Sequence, residues 1–195
     1  MPAQDLPITS YALMGLLTFG DELTGYELKQ RADNTLRFYW QSPAMSQVYS
    51  ELARLTDEGL LHRRGQGRGT TYTLTARGRL ELESWMDDTD AGFPIFKHPQ
   101  ALRLMIGHLS DPGRLTKMLE SYLEDVARAR TDLLEVRESL RGADAAGQPF
   151  RYPSLVADWG LAHFESEKAI AEQVIDRLRE DETVETVTPP TGDEG

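Results

Sequence analysis

Apolar residues recur three and four positions apart from near the start of the chain, and that spacing lays out a series of helices. Leu13, Leu16 and Leu17 share one face of a segment over residues 10–19, which Thr9 or Ser10 can cap and Gly20 ends. Thr24 and Glu27 stand three apart, the spacing of a capping box, and open a short helix through Leu28 to about residue 36. A third helix is predicted to start near Ser42 and Pro43, since proline is tolerated in a first turn, and to run through Val48, Tyr49, Leu52 and Leu55 to Gly59. Each helix carries a single apolar stripe, so the three can bury those stripes only against one another.

After Gly59 the period changes. Residues 60–64 and 70–74 are short alternating or β-branched runs, and the Gly65-Gln-Gly-Arg-Gly69 stretch between them reads as a hairpin tip. Thr75 then caps a helix predicted over 76–86. Three helices, a hairpin and a helix make the order of a winged helix-turn-helix. Residues 87–94 are polar and broken by Gly92 and Pro94, which places a boundary there.

Beyond the boundary a short helix is predicted over 99–109. Asp111 and Pro112 open a long one, in which Leu115, Leu119, Tyr122, Val126, Ala129, Leu133, Val136 and Leu140 alternate four and three apart. That is the period of about 3.5 residues on which helices pack against helices. Residues 142–153 read as a linker. A final helix over about 154–180 sets Leu161, Phe164, Ala171, Ile175 and Leu178 on one side. The expected fold is mainly α with a small β-hairpin. It comprises a winged helix-turn-helix domain at 1–90, a helical dimerisation or effector domain at 91–182 and a disordered acidic tail at 183–195.

Composition narrows the function classes. Of 195 residues, 39% are hydrophobic and 27% charged, the balance of a soluble globular chain. No apolar run is long enough for a bilayer and no signal-peptide pattern opens the chain, so a cytoplasmic location without a membrane partner is expected. The absence of cysteine excludes disulfides, thiol catalysis and thiolate metal sites. His62, His98, His108 and His163 show no metal-ligand spacing, and no nucleotide or hydrolase motif is present. The glycine run at 65–69 opens a strand, whereas a dinucleotide loop opens a helix. No enzyme, metal or cofactor is therefore expected.

Charge changes the picture only when it is divided along the chain. Of the net −11, residues 84–195 carry −10, with twelve basic and twenty-two acidic side chains, whereas residues 1–83 hold nine and ten, net −1. Residues 60–80 contain five arginines and no acid. An acidic chain does not cling to polyanions indiscriminately, but a local basic element can still meet phosphate.

In a winged helix-turn-helix the third helix enters the major groove. Its first turns here hold Ser42, Met45, Ser46, Gln47, Tyr49 and Ser50. Gln47 is the best candidate for base readout, because an amide pairs two ways with adenine. Tyr49 also fits the apolar face of Val48 and Leu52. Arg63, Arg64 and Arg68 on the hairpin add a salt-dependent attraction to double-stranded DNA. The long apolar seam needs another helix, from the same chain or from a second copy. Leu115, Leu119, Tyr122, Val126, Leu133, Leu161, Phe164, Ile175 and Leu178 are the candidate dimerisation residues. A homodimer would set two third helices about one DNA turn apart, on a pseudo-palindromic operator.

Several pieces of the sequence together resemble the PadR family of bacterial transcriptional regulators, in its larger branch with a long helical C-terminal domain. They are Leu13-Met-Gly-Leu-Leu17, Thr24-Gly-Tyr-Glu-Leu28, Phe38-Tyr-Trp40, Ser46-Gln-Val-Tyr-Ser-Glu-Leu-Ala-Arg-Leu55 and Glu58-Gly-Leu60. Tyr72-x-Leu74-Thr75-x-x-Gly78 and Leu82-x-x-Trp85 follow, with a looser match at Leu102-Arg-Leu104, Asp111-Pro112 and Trp159. The resemblance implies a dimeric DNA-binding regulator, most often a repressor, that contacts DNA through Ser46, Gln47, Tyr49 and the hairpin arginines. It also implies a helical region that dimerises and in some members takes a small aromatic effector. On that implication Trp85, Phe96 and Trp159, with Phe164, are candidate ligand-lining residues, and core packing is the other role open to them. Two other classes stay open on the residues alone: a winged-helix protein-interaction module without DNA binding, and a helical small-molecule-binding protein.

Overall fold

The structure, a computed structural model, describes residues 6–20, 22–94 and 97–187, with side chains for all of these but Arg68 and 181–187. The chain divides into two units, Met1–Phe93 and Pro94–Gly195. The first unit holds α1 (Ile8–Leu16), β1 (Leu23–Thr24), α2 (Gly25–Thr35), α3 (Met45–Asp57), β2 (Leu61–Arg64), β3 (Thr71–Leu74) and α4 (Ala76–Asp88). Leu13, Met14, Leu28, Val48, Leu52, Leu55 and Leu60 are fully buried, so the three apolar stripes and the root of the hairpin share one core. Each such side chain contributes about 1.5–3 kcal/mol relative to exposure.

Local differences from the sequence expectation have physical causes. Ser10 does not cap α1, which starts at Ile8. Its hydroxyl is buried and donates to Glu51 Oε2 at 2.5 Å while Arg54 Nη2 donates to it, so it links α1 to α3 instead. Thr24 and Glu27 do form the capping box of α2, with Glu27 N–H on Thr24 Oγ1 at 3.2 Å and Thr24 N–H on Glu27 Oε2 at 2.8 Å. Pro43 lies ahead of α3 and is buried, and the helix begins at Met45. β1 escaped the sequence reading because two residues carry no period. It pairs antiparallel with β3, Leu23 opposite Tyr72, and completes a three-stranded sheet in the order β1-β3-β2.

The second unit holds α5 (Pro99–Met105), α6 (Pro112–Ser139) and α7 (Arg151–Val187). The short helix expected to reach residue 109 gives way at Gly107–Leu109 to a tighter 3-10 turn. Asp111 caps α6, its carboxylate accepting from Arg114 N–H at 3.2 Å. α6 and α7 run antiparallel, as the pairs Arg137 with Asp158, Tyr122 with Glu167 and Glu120 with Arg179 require. Leu119, Val126 and Leu133, each seven residues from the next, are buried in the seam with Ala157, Ala171 and Ile175. A Cβ on Gly160 would stand 2.6 Å from Leu133 Cδ2, so the two backbones approach closely there.

The seam is thus closed within one chain. Leu119, Val126, Leu133 and Ile175, expected among the residues facing a second copy, are already buried by α6 against α7. Leu115, Leu161, Phe164 and Leu178 are half-buried along the same seam. α7 begins at Arg151, with Pro153 in its first turn, and continues through residues 183–187, where a disordered tail was expected. The rest of that tail, 188–195, lies outside the described residues.

Candidate nucleic-acid interface

α3 presents two opposite faces. Val48, Leu52 and Leu55 have no exposure, while Ser46, Gln47, Tyr49 and Ser50 are exposed and Met45 is half-buried at the edge. All of the predicted set but Ser42 is therefore gathered on one accessible side, but its members differ in how free they are. Gln47 turns its Oε1 back to accept Ala44 N–H at 2.9 Å and so caps its own helix. Ser50 donates to the Gln47 carbonyl at 2.9 Å. The polar heads of Ser46 and Tyr49 have no hydrogen-bond partner among the described residues.

Tyr49 is 49% exposed, so its spacing alongside Val48 does not place it in the core. One edge of its ring lies against the backbone of Gly25, where a Cβ would come within 2.5 Å of Tyr49 Cε1. Gly25 was not read as a site residue, and the only sequence signal for it is a glycine where α2 needs none.

Ser42, expected on the third helix, lies in the turn before it. Its hydroxyl donates to Asp33 Oδ1 at 2.6 Å, and Lys29 pairs with the same oxygen. The Lys29 hydrogen bond, then that of Ser42, holds the Asp33 carboxyl below its ordinary range. Ser42 anchors the α2–α3 turn and is committed there.

The hairpin forms the second element. In β2, His62, Arg63 and Arg64 are exposed, with Arg63 opposite Tyr72 and Arg64 opposite Thr71 in β3. Gly65 and Gly67 adopt φ of 86° and 62°, the left-handed region that glycine enters without strain. Arg63 has no charged partner among the described residues. Arg64, 81% exposed, donates to Glu22 Oε1 at 2.9 Å, and Thr71 donates to Glu22 Oε2 at 3.3 Å. These residues with His62 and Thr73 line a hollow of about 320 Å³. The Arg68 side chain lies outside the described residues. Sequence spacing gave no sign of Glu22, which is far from the hairpin in the chain.

Of the candidate ligand residues, Trp85 belongs to the first unit and Trp159 and Phe164 to the second. Trp85 stacks on Tyr11 with ring centroids 4.7 Å apart, at the edge of the first unit's core, so that face is occupied by packing. Trp159 belongs to the second unit and is 77% exposed on α7. Phe96 lies outside the described residues. Tyr122, expected at a dimer seam, is tied within its own chain: its hydroxyl donates to Glu167 Oε2 at 2.7 Å, which also meets His98 Nε2 at 3.1 Å. Burial, then Glu167, pushes the Tyr122 phenol up. Burial opposes the charge on Glu167, but the bonds from Tyr122 and His98 outweigh it and hold that carboxyl low. Among the described residues no helix is long and apolar enough to cross a membrane.

Comparison with known proteins places this geometry. A profile of the transcriptional regulator PadR-like family matches residues 13–84. The negative transcriptional regulator PadR of Bacillus subtilis is 40% identical over 84 residues, an alignment spanning 40% of this chain and 45% of that protein. The structure of Bacillus subtilis PadR in complex with operator DNA has 25% identity and a TM-score of 0.76, covering 88% of this chain and 99% of that one. The same regulator in complex with p-coumaric acid gives 25% and 0.74, over 89% and 99%. A PadR-like regulator from Bacillus cereus, 21% identical with a TM-score of 0.74 over 88% and 98%, shares the fold. The helix-turn-helix core, the wing and the long C-terminal helices thus have their counterparts in PadR-like regulators, whose family profile the chain matches over residues 13–84, while the chain spans less than half the length of the curated relative it matches.

Proposed function

We propose that the chain is a cytoplasmic, homodimeric transcriptional repressor rather than an enzyme. Residues 1–90 bind DNA, with α3 in the major groove of a pseudo-palindromic operator and the β2–β3 wing on flanking phosphates. The observation that carries this reading is the exposed face of α3, with Ser46, Gln47 and Tyr49 outward, in one unit with a wing that presents Arg63 and Arg64. The operator complex of the Bacillus subtilis regulator supports it.

Residues 91–182 join two copies and take a small aromatic effector, a reading supported by the p-coumaric acid complex of the same relative. The second copy sits on α7. Tyr152, Leu155 and Trp159 are exposed at three- and four-residue spacings, and Ile170, eleven residues on, shares their face, opposite the seam that α6 fills. An exposed apolar stripe of this kind marks an association surface.

The test is retention of genomic fragments by the purified chain, followed by titration of a retained fragment and a scrambled copy at two salt concentrations. Tight, salt-sensitive preference for the retained fragment is expected. Equal binding to both at each salt would refute the reading and favour a winged-helix module for a protein partner.

A further inference from the structure

We propose that Gly25 is a positioning residue: its missing side chain makes the seat on which the Tyr49 ring rests, and so fixes the Tyr49 hydroxyl as a contact to the phosphate backbone of DNA. The inference rests on the DNA-binding reading above.

A Cβ built on Gly25 would stand 2.5 Å from Tyr49 Cε1, 2.9 Å from Cζ and 3.2 Å from Cδ1. Carbon atoms in contact keep about 3.5–4.0 Å, so the ring occupies the space a side chain would need. Nothing else about position 25 asks for glycine. It is the first helical residue of α2, and it is not among the glycines with positive φ. Alanine is the better helix former there. The capping box runs through Thr24 and Glu27 and does not involve a side chain at 25.

The seat matters because of what it holds. Tyr49 is half-exposed on the accessible side of α3, with no hydrogen-bond partner for its hydroxyl among the described residues. An aromatic ring in that position would otherwise sample several rotamers. Resting on the α2 backbone, it is held in one before a ligand arrives, which removes that ordering cost from binding. A phenol is a donor suited to phosphate oxygens, the contacts that set register on a duplex. Tyr49 thus joins α2 to α3 at the surface and points a single donor outward.

The test compares the full-length wild type with G25A, Y49F, Y49A and the double variant G25A/Y49A. Three quantities are read: the thermal midpoint, the Tyr49 ring resonances of tyrosine-labelled protein without DNA, and affinity for the genomic fragment that the wild type retains. G25A is expected to keep its midpoint within a few degrees, because the displaced atoms are the far end of a half-exposed ring. Its Tyr49 resonances shift, and its affinity falls about tenfold per protomer, about a hundredfold for a dimer, the loss of one hydrogen bond to a charged acceptor in each copy. Y49F loses about the same, and the double variant binds no more weakly than Y49A.

Unshifted ring resonances in G25A, a shifted ring with unchanged affinity, or losses that multiply in the double variant would each overturn the inference while leaving DNA binding intact. If G25A unfolds but G25A/Y49A folds, the conflict lies between these two positions, as proposed. If both unfold, the glycine serves another neighbour and the inference is wrong. A wild type that retains no fragment above scrambled DNA would refute the DNA-binding reading itself, and the inference with it.

Discussion

Arg63 and Arg64 stand side by side on β2, yet the structure separates their expected contributions to DNA binding. Arg63 has no charged partner among the described residues, whereas Arg64 is paired with Glu22 at 2.9 Å. Each phosphate neutralised contributes a salt-dependence slope of about 0.9 in the log–log plot, and a dimer carries each arginine twice. Arg63→Ala should therefore flatten the slope by about 1.8 per operator. Over a fourfold rise in salt, from about 50 to 200 mM, the wild type should lose about twelvefold more affinity than this variant. Arg64→Ala should flatten it by less, because the Glu22 carboxylate already shares that charge and must be displaced. Glu22→Gln supplies the complement. It frees Arg64 and removes a negative charge beside the wing, so binding at low salt should tighten by about two- to fivefold, the scale of an exposed ion pair. Titrations of a retained fragment at four or more salt concentrations would check all three variants. A slope unchanged by Arg63→Ala would refute the placement of the wing on phosphates. Weaker binding by Glu22→Gln would mean that the carboxylate aims Arg64 rather than competing for it.

Gly78→Ala should destabilise the first unit by several kcal/mol, because its Cβ would stand 2.1 Å from the Leu60 carbonyl oxygen, a backbone atom that cannot step aside; urea unfolding would measure it. Leu133→Ala should cost about 2–5 kcal/mol through the cavity left between α6 and α7. Glu167 has a folded pKa below its ordinary value of 4.5, so the stability it contributes is present above that value and lost as pH falls through the folded one. The stability gap between wild type and Glu167→Gln should accordingly narrow on acidification in urea titrations. Trp159→Glu should shift the mass seen by light scattering from dimer to monomer, while an unchanged dimer would move the interface off the exposed face of α7.

Local signals were legible where a short stretch of chain decides the outcome. Thr24 with Glu27, Asp111 as a cap and the heptad rows of α6 were all readable, because partners three to seven residues apart determine them. The accessible side of α3 was readable for the same reason, since Val48, Leu52 and Leu55 leave the intervening residues outside. Contacts between distant residues were not. The Arg64–Glu22 pair spans 42 positions, and the seat of Tyr49 on Gly25 exists only once α2 and α3 pack. Ser42 looked like a helix residue because Pro43 can open a helix. The turn placed it on Asp33 instead. The seam residues were correctly apolar, but periodicity alone cannot say whether the covering helix belongs to the same chain.

Thr24 ends β1 and caps α2 at once, while β1 is hydrogen-bonded to β3 of the wing. The wing is therefore spliced to the first turn of α2, and through Gly25 to the ring beside α3. The wing and the exposed face of α3, the two elements proposed to meet DNA, are thus joined through β1 and α2 rather than by a free loop. Their mutual alignment is settled when the chain folds rather than when it meets a duplex. Amide hydrogens of β1 and β3 should then exchange together with those of the α2 first turn, as one cooperative block.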